Sequence, residues 1–233
     1  MTATATPVED GDTAGSQPNT NTDDWLADTR TSYDTVAEGY ADLVRNSLAE
    51  EPYLRAALAL FADLVHTAGG GPVADIGCGP GHFTAHLRTL GVDAFGIDLS
   101  PAMIDLARRD HPDLRFEVGS MTDLPLADAS IAALLASWSL IHIPDNAIPT
   151  VLDHFHRVLR PGGLLLAGFH VGNESRLKTQ GYGGHPMKIY VHLRQPDQMA
   201  TWLHDKGFTV KAQILLNLDQ SVPGAVLLAH REP

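Results

Sequence analysis

The chain has 233 residues, 44% hydrophobic and 19% charged, which is ordinary globular composition and enough for one α/β domain with a sizeable core. Its formal net charge of -12 argues against strong nucleic-acid binding, which needs clustered Lys and Arg, and against docking on anionic membranes. The single cysteine, Cys78, excludes an internal disulfide, and no apolar run is long enough to span a bilayer. With no basic and apolar leader at the start, the expectation is a cytoplasmic monomer or homodimer whose partner is a small molecule.

Residues 1–24 are Thr, Ala, Asp, Asn, Gly and Pro with few large apolar side chains, and read as a disordered tail. From residue 31 the pattern becomes helical: Tyr33, Val36, Ala37, Tyr40 and then Leu43 or Val44 recur at three- and four-residue steps. A second helix is expected over 52–67, with Pro52 in its first turn and Gly69, Gly70 and Gly71 ending it. Residues 73–76 are short and apolar, as a buried parallel strand should be, with Asp75 interrupting them just before a turn. Gly77, Gly79 and Gly81 follow at alternate positions, then an amphipathic run over 82–90. Such a strand, glycine turn and helix bring a ligand close to bare backbone and to free helix N–H groups. The spacing is not that of a dinucleotide fingerprint, because position 82 is His82, nor of a P-loop, because Gly81 precedes His82 and Phe83. A carboxylate two positions before the first glycine suits a cation or an ammonium group rather than a phosphate.

Strand and helix units then alternate. A strand over 93–97 ends at Asp98, close to the interval of about 20 residues at which a carboxylate grips a ribose. Ser100 or Pro101 starts a helix containing Met103, Ile104, Leu106 and Ala107. Strands are expected over 114–118 and 131–136. The second runs into Ser137-Trp138-Ser139-Leu140-Ile141-His142, at the carboxyl edge where doubly wound sheets place their ligands. A helix over 146–159, stopped by Arg160-Pro161-Gly162-Gly163, leads to a strand over 164–169. The glycine- and proline-rich stretch 172–186 reads as a substrate-facing loop and 187–193 as an added strand or arm. A helix over 196–206 and a closing strand pair over 208–216 and 225–230 complete the chain.

Asp75-Ile76-Gly77-Cys78-Gly79-Pro80-Gly81 resembles the first motif of the class I S-adenosylmethionine (SAM) methyltransferases. Gly96-Ile97-Asp98-Leu99-Ser100-Pro101 resembles the second, and Arg157-Val158-Leu159-Arg160-Pro161-Gly162-Gly163 a later one. Tyr33-Asp34-Thr35-Val36-Ala37-Glu38-Gly39-Tyr40 is similar to the helix that folds over the cofactor in small-molecule members. The resemblance implies a Rossmann-like α/β fold. Its doubly wound, mostly parallel seven-stranded sheet would carry a terminal antiparallel hairpin and N-terminal lid helices. It divides the single domain, residues 25–233, into lid helices (25–70), a SAM-binding core (71–170), a substrate-facing insertion (171–195) and a C-terminal helix and hairpin (196–233). Asp75, Gly77, Gly79, Gly81 and Tyr40 would meet the methionine end of SAM, and Asp98, Leu99 and Met103 its ribose side. Ser120, Met121 and Thr122 would hold the adenine, with Ser120 standing where the family commonly has Asp, so that Ser120 and Asp123 compete for the contact. Ser137 and Trp138 would lie near the sulfonium and the acceptor.

Methyl transfer from a sulfonium needs positioning above all, and a base only where the acceptor must lose a proton. His142, His170 and His185 are the candidate bases, His142 being preferred for its place after the fourth strand; Tyr33 and Tyr40 would orient the acceptor or the cofactor carboxylate. The twelve histidines show no spacing of a recognised metal site, so none is expected. Two other readings stand beside methyl transfer: a non-catalytic SAM-binding scaffold or partner subunit, and a nicotinamide-dependent oxidoreductase, which the glycine spacing disfavours.

Overall fold

The computed structural model describes residues 22–233. The tail expected over residues 1–24 lies outside the described residues except at its end, where residues 22–24 already belong to the first helix, α1 (Thr22–Val44). This helix starts nine residues before its apolar periodicity does, anchored by Trp25, which is buried in the main core. A short turn of helix, α2 (Ser47–Glu50), and α3 (Pro52–Thr67) follow. Pro52 occupies the first turn of α3, where a missing N–H costs nothing. The helix ends where Gly69, at φ 91°, donates its N–H back to His66 and Gly70 to Val65.

The core then alternates as β1 (Val73–Ile76), α4 (His82–Thr89), β2 (Ala94–Asp98), α5 (Pro101–Asp110), β3 (Phe116–Val118), β4 (Ile131–Ser137), α6 (Ile148–Val158) and β5 (Leu159–His170). A hairpin, β6 (Ser175–Gln180) and β7 (Pro186–His192), precedes α7 (Pro196–Asp205), β8 (Phe208–Leu216) and β9 (Gly224–Arg231). Seven strands form one sheet in the order β3-β2-β1-β4-β5-β9-β8, parallel from β3 to β5 and antiparallel beyond it. The expected Rossmann-like sheet with its antiparallel end is therefore present. Because β2 and β4 flank β1, the winding reverses at β1 and opens a cleft beyond the carboxyl ends of β1 and β4.

Both faces of the sheet are covered, which is why its central strands are mostly apolar, with Asp75 the buried exception in β1. Ile76, Leu134, Ala136, Leu165 and Ala167 face α6 and α7, while Val73, Ala133, Leu135 and Leu166 face α3 and α4. In α6, Ile148, Val151, Leu152, Phe155 and Val158 make one buried stripe, each side chain contributing roughly 1.5–3 kcal/mol. Of the N-terminal helices, α3 joins the core through Leu58 and Phe61, so α1 is the one that lies over the cleft.

Most expected boundaries differ by one or two residues, but two segments differ in kind. The run Arg160-Pro161-Gly162-Gly163, expected to be a turn before a strand starting at residue 164, is a bulge within β5. Leu159 already pairs with Ile131 and Leu164 with Ala133, the register shifting between them. The loop expected over 172–186 contains β6, which pairs antiparallel with β7. Its side chains are partly or wholly exposed, so no hydrophobic alternation announced it; the pairing comes from its partner. Among the described residues, no helix is long and apolar enough to cross a membrane.

Candidate active site

The cleft is built around the turn from β1 to α4. Gly77, Gly79 and Gly81 all adopt positive φ, at 76°, 54° and 83°. A Cβ on Gly77 would lie 2.3 Å from the Ser139 Cβ, and one on Gly81 2.7 Å from the Phe116 ring. At Gly79 the nearest atom is the Tyr40 ring at 3.5 Å, so this glycine leaves backbone open beneath α1. The Gly77 and Cys78 N–H groups both donate to the Ile97 carbonyl, at 2.7 and 3.1 Å, and Ser139 Oγ donates to the Ile76 carbonyl at 2.7 Å. The turn is thus sewn to β2 on one side and to the segment after β4 on the other.

Two carboxylates flank it. Asp98 Oδ2 accepts from the Gly79 N–H at 2.8 Å and Oδ1 from the Ser100 N–H at 2.9 Å. Burial raises its pKa above the usual carboxylate range, and these backbone donors oppose that shift. Asp75 is deeper, 1% exposed. Its Oδ2 accepts from Thr84 Oγ1 at 2.6 Å, while its Oδ1 is buried with no partner. Burial, helped by the nearby Asp98 charge, pushes its pKa up to about 7. Ser137 Oγ, at the end of the adjoining β4, is likewise buried and unpartnered. A buried carboxylate oxygen without a partner is suited to a cationic donor, so Asp75 fits the ammonium end of a SAM molecule.

Helix α1 closes over this group. Asp34 Oδ1 accepts from Ser100 Oγ at 2.6 Å and from the Ala102 N–H at 3.1 Å, tying α1 to the first turn of α5. Met103, expected at the ribose, is buried between these helices with Ala37 and Ala41. On its other side α1 meets the β6–β7 hairpin: Ser32 Oγ accepts from the Lys188 N–H at 2.9 Å, and Val36 packs on Met187 and Ile189. Tyr40 stands edge-on to Tyr33 with ring centroids 5.8 Å apart, and 5.0 Å from Tyr182 of the hairpin turn. Burial raises both Tyr33 and Tyr40 well above the ordinary phenol range, so both hydroxyls stay protonated.

Tyr33 and His142 are brought together. The Tyr33 hydroxyl lies 2.7 Å from His142 Nε2, and His142 Nδ1 lies 2.9 Å from the Tyr190 carbonyl of β7. A carbonyl only accepts, so Nδ1 carries the proton and Nε2 accepts from Tyr33. Burial lowers the His142 pKa to about 4, leaving a neutral imidazole. His170, whose Nδ1 lies 3.3 Å from the Trp138 indole N–H, is also lowered to about 4 by burial.

His185 is exposed in the hairpin turn with Gly183 and Gly184 and does not join Tyr33 and His142, while Tyr182 of the same turn packs on Tyr40. The Trp138 indole covers Gly168 of β5 and Gly224 of β9, and its left-handed backbone (φ 52°) turns it from the glycine turn. Ser120 Oγ is 2.7 Å from Thr122 Oγ1 and accepts from the Thr122 N–H, so these two close a local turn. Leu99 and Met121 are partly buried, and the competing Asp123 is exposed. The motif reading passed over Thr84, Asp34 and Ser139, which support the site; a lone hydroxyl on the buried face of α4 was the one signal for Thr84.

A doubly wound sheet with a buried and a half-buried carboxylate about a glycine turn at its switch point suits a nucleoside cofactor carrying a positive charge. Residues 73–163 match the methyltransferase domain family. A demethylmenaquinone methyltransferase of Beutenbergia cavernae is 34% identical over 203 residues, covering 76% of this chain and 80% of that protein. The chain belongs to the class I SAM-dependent methyltransferases. A malonyl-[acyl-carrier protein] O-methyltransferase of Yersinia pestis is 35% identical over 94 residues, a match spanning only about a third of that relative (34%) and 40% of this chain. In fold, the chain is similar to the 1,6-didemethyltoxoflavin-N1-methyltransferase of Burkholderia thailandensis, solved with 1,6-didemethyltoxoflavin and S-adenosylhomocysteine, at a TM-score of 0.73 and 22% identity over 95% of each chain.

Two outcomes follow from the site's geometry. Gly77→Ala meets both a forced left-handed backbone and the Ser139 side chain, and chemical denaturation should show a loss of roughly 2–5 kcal/mol. Asp75→Asn keeps the Thr84 bond but removes the buried charge. With the folded Asp75 pKa raised to about 7, its favourable share of stability is present at low pH and lost as pH rises through 7. The ligand-free Asn variant should therefore melt higher than the wild type at pH 8, with the gap closing towards pH 4.

Proposed function

We propose that the chain transfers a methyl group from SAM to a small-molecule acceptor by in-line displacement. The observation that carries this reading is the unpartnered Asp75 Oδ1 beside the glycine turn, one strand from the Asp98 carboxylate. When bound, SAM supplies a methyl group already activated by its sulfonium. The protein's own tasks are then to hold the cofactor, exclude water and place the acceptor, and good placement is worth on the order of 7–11 kcal/mol of barrier. Asp75 receives the ammonium and Asp98, with lone pairs still free, the ribose hydroxyls. Gly79 offers its open backbone, Tyr40 covers it, and α1 keeps water out. A nicotinamide cofactor would leave the Asp75 charge unanswered.

His142 takes the acceptor's proton at Nε2, directly or through the Tyr33 hydroxyl that now occupies that lone pair. A neutral imidazole held by the Tyr190 carbonyl is ready for this across the physiological range. The acceptor lies among Tyr33, His142 and His170, all uncharged, which suits a neutral ring bearing a hydroxyl or an acidic C–H. Relatives that match along most of their length are named for a quinone-type acceptor; the malonyl-[acyl-carrier protein] relatives match over less than half of theirs.

Asp98→Ala should abolish the heat of S-adenosylhomocysteine binding in calorimetry; unchanged affinity would end the cofactor assignment. His142→Ala should slow turnover of ring hydroxyl acceptors by about 10²–10⁴-fold with the cofactor still bound, and a full-speed variant would remove His142 as the base. A protein that binds the cofactor yet methylates no acceptor in a broad screen would be the scaffold instead. Cofactor affinity should also fall as pH drops below 7, by up to tenfold per unit, because Asp75 must then release a proton to receive the ammonium. Asp75→Asn should flatten that profile.

A further inference from the structure

Arg194 lies just past β7 and its side chain is 1% exposed, yet it belongs to none of the family-like motifs. Its guanidinium is spent on a single short segment. Nη1 donates to the Leu140 carbonyl at 2.9 Å, Nη2 to the Ile143 carbonyl, and Nε and Nη2 to Asp145 Oδ1 at 3.0 and 2.9 Å. The 3-10 turn between those two carbonyls is Leu140–His142, so Arg194 brackets the residue that carries the imidazole. Its own N–H donates to the His170 carbonyl at 3.0 Å, tying the same strand end to β5.

The local backbone explains why such a brace is needed. The turn leaves β4 through Trp138 in a left-handed conformation that costs a non-glycine residue energy. The turn's own bonds are few: His142 N–H to Ser139 at 3.4 Å and Ile143 N–H to Leu140 at 3.1 Å. A buried guanidinium is an expensive means of filling space, and an apolar side chain would pack as well. A planar fork that reaches three acceptors at once is what only arginine supplies. The same stretch of chain also aims the ring, since the Tyr190 carbonyl holds His142 Nδ1.

We infer that Arg194 is a positioning residue for methyl transfer: by clamping the Leu140–His142 turn from both sides it holds the His142 ring against Tyr190 and keeps Nε2 directed at Tyr33 and the acceptor. This rests on the reading of His142 as the base. Arg194 touches neither cofactor nor acceptor and acts only through the imidazole.

Arg194→Lys keeps the charge and loses the fork. The variant should bind S-adenosylhomocysteine within about twofold of wild type and keep its acceptor KM, while kcat falls about tenfold or more. In nitrogen-15 NMR of the imidazole, wild-type His142 should show one tautomer, protonated at Nδ1, and Arg194→Lys a mixture of both. Placed on His142→Ala, Arg194→Lys should cost less than a further twofold. An unchanged kcat with an unchanged tautomer would overturn the proposal, as would an equal loss in the His142→Ala background, which marks a structural role alone. Should Arg194→Lys fail to fold, Asp145→Asn, which loosens the same clamp from its exposed end, should shift the tautomer and kcat in the same direction; no shift refutes the clamp. If His142→Ala alone leaves turnover intact, the base reading fails, and the NMR result still decides whether Arg194 sets the ring.

Discussion

The structure depends on holding two carboxylates, Asp75 buried and Asp98 half-buried, at the ends of neighbouring strands. Asp98 is tolerated because Gly79 and Ser100 turn backbone N–H groups towards it, and those bonds join β2, the glycine turn and α5 into one piece. Asp75 has only Thr84, and one of its oxygens is left without a partner. A protein that merely needed a tight turn would gain nothing from this charge. The arrangement stores a demand for a positive group at the switch point of the sheet, and this is the demand that the proposed ammonium contact would meet.

Around that centre, α1 and the β6–β7 hairpin act as one cover. The helix is bonded to α5 through Asp34, at the far side of the same Ser100 whose N–H serves Asp98. Its other edge lies on the hairpin, where Gly39 approaches the Tyr182 backbone so closely that a Cβ would stand 3.1 Å away. Ser100 thus serves Asp98 with its N–H, Asp34 of α1 with its hydroxyl, and the Met103 N–H as the cap of α5. The hairpin also supplies the Tyr190 carbonyl that accepts from His142 Nδ1, so an element outside the bare Rossmann-like core fixes the tautomer of the proposed base.

The glycine turn, Asp75 and Asp98 were legible because each is a local device: alternate glycines between an apolar run and a helix, and an acid closing the next strand. Tyr33 and His142 were separately visible as candidates, but nothing in their spacing paired residues 109 positions apart. His185 shows the opposite failure, a histidine in a plausible segment that a hairpin turn carries into solvent. Thr84, Asp34 and Arg194 were passed over because their roles consist of contacts with distant backbone and carboxylates, which leave no periodic trace.

Alone, the sequence indicated most strands and helices through local backbone chemistry and hydrophobic period, which need only neighbouring residues. The sheet's parallel core with its antiparallel end, and the ends of β1 and β2 as the cofactor's place, came from the family resemblance that its motifs carry. Tertiary structure decided that residues 175–192 form a hairpin, that α1 is held between it and α5, and that a buried imidazole meets a tyrosine across the cleft. Those outcomes depend on which distant groups lose their water together, and that free energy exists only once the chain has closed on itself.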